Sequence, residues 1–234
     1  MVSVNELKMN QHQAITVTIL VVLVSQAASW NKELNCGQIK GKLQVAQNQM
    51  QAAKPGQLPF LAVIWDENLN PICDAAIIDQ QHVLTSASCL RPKLLVSLGD
   101  HSLRKPDGEQ IITIEPNSNV AYKGEMIQLT TSQPIKFELK LWGLGSVNRI
   151  CITNLEPRIG DSVIVAGWGR FPGDSEPDKP HYTSTRVVKC PTPAGLNATV
   201  RPCVVNFFGR LGSPIVRLTQ DHRLELVDMI HAVS

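Results

Sequence analysis

Short apolar segments separated by turn-forming residues run through the chain from residue 58 onward. They occupy residues 60–65, 75–78, 82–87, 94–99, 111–114, 162–168, 186–190, 213–218 and 224–230. The stretches between them are rich in Asp, Asn, Pro and Gly, and no helical periodicity of useful length precedes the last few residues. Short β-branched runs with regular turn signals are typical of barrels and sandwiches. The pattern therefore predicts an all-β fold.

Two β-rich halves are predicted, because the pattern is less regular over residues 131–150. We place the first half at about residues 58–145 and the second at about residues 146–234. Residues 37–57 are rich in Gln, Lys, Gly and Ala and show no strong apolar period, so we expect residues 30–57 to form a loose lead-in segment before the domain.

The first 29 residues have the features of a signal peptide. Ala14–Val24 is an uncharged apolar run, Lys8 precedes it, and small residues follow it. This arrangement is typical of a signal peptide, and the run is short for a membrane span, which needs about 20 apolar residues. We therefore expect residues 1–29 to be removed and the protein to be secreted. A retained signal anchor, which would place the protein at a membrane, is the alternative.

Six cysteines follow this segment: Cys36, Cys73, Cys89, Cys151, Cys190 and Cys203. Their number is even and no Cys-x-x-Cys occurs, which in an exported protein favours three disulfides over a metal site. Spacing alone leaves 15 possible pairings open, and six reduced core cysteines are the alternative if the chain is not exported.

The composition argues against several other functions. The formal net charge of +2 is too small to indicate binding of nucleic acid or of an anionic membrane surface. No motif for a metal or a cofactor is present, so we expect neither. Asn197-Ala198-Thr199 is an N-glycosylation sequon in a stretch rich in Pro and Gly, so we expect a glycan on Asn197.

Six stretches of the chain together resemble the trypsin/chymotrypsin-like serine proteases, in the order in which that family carries them. They are CDAAIIDQQHVLTSASC at 73–89, VSLGD at 96–100, GEMIQL at 124–129, GDSVIVAGWG at 160–169, GRLGSPIV at 209–216 and LELVDMI at 224–230. The resemblance covers roughly residues 58–232 and implies two perpendicular antiparallel β-barrels with a cleft between them.

The resemblance also implies how the cysteines pair and where the second barrel is incomplete. The implied disulfides are Cys36–Cys151, Cys73–Cys89 and Cys190–Cys203. The chain ends at Ser234, before the family's last strand and C-terminal helix. We therefore expect a second barrel that is truncated at its C-terminus and has an unpaired edge.

The catalytic positions of the family are occupied by other residues. Ser88 stands at the histidine position, Glu125 at the aspartate position and Leu211 at the nucleophile position. Serine cannot act as a base near neutral pH, and leucine has no nucleophilic atom. Only a backbone remnant of the oxyanion hole is expected, at Gly209 and Leu211.

The activation and specificity elements of the family are changed as well. Arg210 replaces the aspartate that receives the new N-terminus, and no Ile-Val-Gly-Gly is present. The loop before Gly209 is also too short for the family's specificity pocket. None of the six histidines lies in a catalytic motif, and we interpret them as ordinary surface or core residues: His12, His82, His101, His181, His222 and His231.

These substitutions predict an inactive homologue, a pseudoprotease that binds another protein. The partner is expected to be a protease or a protease inhibitor. Two alternatives remain: a residual or unusual hydrolase that uses Ser213 or Ser88, and a truncated isoform without function.

Overall fold

The computed structural model describes residues 36–43, 47–140, 142–169, 178–189, 202–204 and 209–231. The regular secondary structure of the described part is almost entirely β, as the apolar pattern predicted. Its strands are β1 Met50–Ala52, β2 Leu61–Trp65, β3 Pro71–Ile77, β4 His82–Ser86, β5 Leu95–Leu98, β6 Gln110–Thr113, β7 Val120–Lys123, β8 Met126–Thr130, β9 Cys151–Ile152, β10 Ser162–Gly167, β11 His181–Lys189, β12 Pro202–Val204, β13 Pro214–Leu218 and β14 Leu224–Met229. One short 3-10 helix, Ala87–Cys89, follows β4.

The strands form two seven-stranded sheets. The first has the order β6-β5-β2-β3-β4-β8-β7, and the second has the order β1-β11-β10-β13-β14-β9 with β12 beside β11. Nearly all pairings are antiparallel, and the exception is the short parallel pairing of β14 with β9. The first sheet contains the strands between residues 61 and 130, and the second contains the strands from residue 151 onward together with β1.

The apolar runs lack polar alternation because both faces of the central strands are buried. In β2, Leu61 and Val63 belong to a core cluster that also contains Trp168 and Val216 of the second half. The intervening Ala62 and Ile64 belong to the interior of the first sheet. Successive side chains of a strand point to opposite faces, so β2 serves two cores at once.

The lead-in segment is part of the folded domain, in contrast to the sequence expectation. Met50 pairs with Thr183 of β11, and Leu43, Ala53 and Leu58 are buried in the core cluster shared by both halves. The polar composition misled the prediction, because β1 is an edge strand whose side chains are largely exposed. Residues before 58 therefore contribute to the second sheet and to the shared core.

At one end of the second sheet, β14 is followed by the two-residue strand β9. β14 pairs with β13 over its length, and Glu225 and Leu226 also pair with Cys151 and Ile152 of β9. The sequence predicted an unpaired edge in this half, and this two-residue ladder covers part of β14.

Two disulfides connect described residues. Cys36–Cys151 joins positions 115 residues apart, and Cys73–Cys89 joins positions 16 residues apart. The remaining implied pair includes Cys190, which lies outside the described residues.

Removing each described disulfide by paired alanine substitution is expected to lower stability. The chain-entropy model gives losses of about 3 kcal/mol for the short loop and about 5 kcal/mol for the long one. Urea unfolding of the C73A/C89A and C36A/C151A variants measures both. A larger loss for the short loop would show that packing of the Cys73–Cys89 bridge in the first sheet, rather than loop entropy, sets its contribution.

Candidate functional site

The end of β4, the start of β8 and the loop before β13 lie close together. Ser86 of β4 pairs with Met126 of β8, and an added Cβ at Gly212 of the loop would lie 2.4 Å from Thr85 Oγ1 of β4. β4 ends at Ser86, whose side chain caps the 3-10 helix by accepting a hydrogen bond from Ser88 N. The backbone of Ala87 donates to the carbonyl of Glu125 at 2.8 Å. Ser88 and Glu125 are therefore held close together, and both are exposed.

The loop at 209–213 approaches the first sheet through its backbone. Asp74 N donates to Leu211 O at 2.8 Å, and the Leu211 side chain packs on the core of the first sheet. Gly209 is buried. Leu211, the predicted nucleophile position, thus has an aliphatic side chain that is engaged in packing.

Ser213 is completely buried and already hydrogen-bonded. Its relative exposure is 0%, and its hydroxyl donates to Asp74 Oδ2 at 2.6 Å. The same carboxylate oxygen accepts from Trp168 N at 3.0 Å. This hydroxyl is inaccessible to a substrate, and its proton is held by a carboxylate.

Asp74 is the centre of this buried network and was not identified from the sequence. Burial raises its pKa to about 6, while the positive charge of Arg210 and the hydrogen bonds from Ser213 and Trp168 act to lower it. The sequence signal was an aspartate inside the apolar run of β3. Its partner Ser213 is 139 residues away, so no local pattern could reveal the pair.

His231 lies beside the end of β4, between Ser86 and Asp228. Its Nδ1 is 3.4 Å from Ser86 Oγ, and its Nε2 is 3.2 Å from Asp228 Oδ1. The result is a line of serine, imidazole and carboxylate at positions that differ from those of the family. Ser86 has a relative exposure of 0%, so this hydroxyl is closed to substrates, and the contact is long for an O–H···N hydrogen bond.

The other described histidines lie in ordinary settings. His82 Nδ1 pairs with Asp79 at 2.8 Å, and His181 Nδ1 contacts the carbonyl of Lys179 at 2.9 Å. His222 occupies a turn with φ 59°, and His101 is buried. None of these is hydrogen-bonded to Ser88.

The described residues lack both a metal-binding cluster and a membrane-spanning helix. They contain no group of three His, Cys, Asp or Glu side chains arranged to hold a metal ion. No helix among them is long and apolar enough to cross a bilayer. The predicted signal segment, His12 and the Asn197 sequon lie outside the described residues.

Comparison with known proteins identifies the family. The trypsin family model matches residues 47–202. The chain is 29% identical over 133 residues to the thrombin-like enzyme barnettobin of Bothrops barnetti, covering 53% of this chain and 50% of that protein. It is 32% identical over 133 residues to kallikrein-8 of Mus musculus, covering 52% of this chain and 48% of that protein.

A solved structure supports the same fold. The mouse-brain serine protease neuropsin superimposes with a TM-score of 0.55 and 21% identity, covering 71% of this chain and 81% of that one. The chain spans about half the length of the curated relatives it matches. With a family model that matches most of its described residues, in an all-β fold of two sheets, this chain belongs to the trypsin family.

Proposed function

We propose that this chain is a secreted member of the family without peptidase activity, which acts by binding another protein. The observation that carries the proposal is that the hydroxyl groups near the predicted nucleophile position are either absent or buried. Leu211 stands at the nucleophile position, and Ser213 is buried on Asp74. Among the described residues, the hydroxyl of Ser86 contacts the imidazole of His231, and Ser86 is also buried.

The lack of a base at position 88 reinforces this proposal. Peptide hydrolysis by a serine needs an imidazole within hydrogen-bond reach of an accessible hydroxyl. Ser88 is accessible, but no described histidine is hydrogen-bonded to it. The apolar run at Ala14–Val24 and the two described disulfides support secretion, because disulfides persist in oxidising compartments.

Labelling with a serine-directed phosphonate tests the absence of catalysis. We expect no covalent adduct by intact mass under conditions that fully label active kallikrein-8, because no accessible serine among the described residues has an imidazole to deprotonate it. An adduct that disappears in S88A, S213A or S86A would identify a working nucleophile and overturn the proposal.

The partner class is tested in an assay of active kallikrein-8 with a substrate-mimicking inhibitor. If the chain is a decoy for inhibitors, adding it restores kallikrein-8 activity. If it regulates proteases directly, it changes the rate without inhibitor. Neither effect at micromolar concentration would contradict both partner classes.

A matched pair of variants locates the binding surface. Ser88→Trp places a large side chain at the cleft, and Ser132→Trp places the same side chain on an exposed loop of the first half. We expect only Ser88→Trp to abolish the effect on kallikrein-8. Equal loss in both variants would place the binding surface elsewhere.

A further inference from the structure

The segment that connects β9 to β10 is exposed and has no regular secondary structure over residues 153–158. Its last residue, Arg158, is exposed, and the nearby Leu155 and Ile159 have relative exposures of 60% and 56%. Exposed connections between packed elements are the preferred sites of proteolytic cleavage. The segment is therefore accessible to a protease, and arginine is a residue type after which trypsin-like proteases cut.

The residues before the Arg158–Ile159 bond are only weakly held. Within the described part of the chain, the backbone of residues 154–157 makes one hydrogen bond, from Leu155 N to Thr153 Oγ1 at 3.2 Å. The side chain of Glu156 pairs with Lys123 Nζ at 3.3 Å, and an ion pair of exposed side chains contributes little. A peptide can be bound through its main chain as an added strand, and these backbone groups remain available for such pairing.

The other described arginines are in settings less suited to cleavage. In most of them the next residue is proline or is packed in the interior, or the arginine itself lies in a strand: Arg91, Arg149, Arg186, Arg210, Arg217 and Arg223. Arg104 is exposed, but its turn is closed by Lys105 N, which donates to Ser102 O at 3.2 Å. Arg104 N also donates to Asp178 Oδ1 at 3.1 Å, which ties this turn to a distant part of the chain.

The Arg158–Ile159 bond itself begins a local turn. Arg158 N donates to Asp161 Oδ2 at 2.8 Å, and Asp161 N donates to Arg158 O at 3.0 Å. Gly160 N donates to Val187 O at 2.7 Å, and Gly160 O accepts from Arg186 Nη1 at 3.1 Å. A protease must open this turn, but the residues on both sides of the bond are exposed, so opening disturbs no buried side chain. Local opening of this kind is much less costly than global unfolding.

We propose that the Arg158–Ile159 bond is a cleavage site for an arginine-specific serine protease, which converts the protein into a two-chain form. Hydrolysis breaks the C–N bond, and water supplies the hydroxyl of the new Arg158 carboxyl group and the hydrogen of the new Ile159 amine. Both described disulfides lie before residue 158, so neither joins the two pieces. The pairing of β1 with β11 and the shared core hold them together. This inference does not rest on the proposed loss of catalysis.

Limited digestion of the folded protein with a trace of endoproteinase Arg-C tests the proposal. We expect the first new N-terminus, identified by intact mass and N-terminal sequencing, to be Ile159. The two pieces should co-elute in native gel filtration and separate in denaturant without reductant. The urea midpoint of the two-chain form should depend on protein concentration, because its pieces are held without a covalent bond.

Matched variants show whether this bond is the selected site. Arg158→Gln should lower the rate of the cut at least about a hundredfold, because the protease loses the charged group that it recognises. Arg104→Gln makes the same change at another exposed arginine and should leave the rate unchanged. Asp161→Ala removes the hydrogen bond to Arg158 N and should speed the cut about fivefold, the equivalent of one hydrogen bond. A first cut at another bond, or an equal rate of first cleavage in Arg158→Gln and wild type, would overturn the proposal.

Discussion

Substituting Gly212 with alanine is expected to lower the free energy of unfolding by at least about 3 kcal/mol. Gly212 has φ 78°, and an added Cβ would lie 2.0 Å from the Asp74 carbonyl oxygen. That carbonyl already accepts a hydrogen bond from Thr85 Oγ1 at 2.8 Å. The loop at 209–213 must therefore move away from β3. Urea unfolding at pH 7 measures the loss.

Gly124→Ala is the matched control for this substitution. Gly124 has φ 58° and no atom within 4 Å of an added Cβ, so it isolates the cost of the left-handed backbone, about 1 kcal/mol. If both variants lost the same stability, close contact between the loop and β3 would not be a significant constraint.

Stability is expected to increase as the pH falls from 7.5 towards 4.5, and Asp74 to supply about 2 kcal/mol of that increase. The pKa of Asp74 is about 6 in the folded protein, against an ordinary value of 3.8. The folded state therefore binds the proton more tightly, so this contribution is gained below pH 6 and lost as the pH rises through 6. Burial also raises the pKa of Asp100 to about 7, with help from Asp107 and Glu109.

Asp74→Asn separates the two aspartates. The amide keeps an oxygen for Ser213 and Trp168 but does not titrate, so the variant should gain less stability than wild type over the same range. Urea unfolding gives the change in the free energy of unfolding between pH 7.5 and pH 4.5 for each protein. Subtracting the change in Asp74→Asn from the change in wild type removes the contribution of Asp100. Identical pH dependence in both proteins would contradict the assignment to Asp74.

The sequence predicted the fold class because buried strands require short apolar runs, and these runs are visible as local patterns in the sequence. The run FLAVIW at 60–65 was one of the apolar segments that predicted an all-β fold, and β2 occupies most of it. The segment around β1 was missed, since an edge strand with an exposed face needs no apolar repeat. Its place was set by pairing with β11, a partner more than 100 residues away in the chain.

The sequence predicted only those residues of the candidate site that lie in short motifs. The positions of Ser88, Glu125 and Leu211 follow from short motifs. His231 could not be placed beside Ser86, because their contact joins residues 145 positions apart. The Asp74–Ser213 pair could not be predicted for the same reason, because these residues are 139 positions apart. Burial, which the sequence does not show directly, raises the pKa of Asp74.

The double packing of β2 separates the demands of the scaffold from those of catalysis. Each residue at 61–64 packs in either the shared core or the interior of the first sheet. Neither face of the strand therefore tolerates a large change in side-chain volume. Nothing in that requirement depends on which side chains stand at the rim of the cleft. A lineage can thus exchange its reactive groups one at a time, keep a rigid frame with variable loops, and turn that frame to recognition.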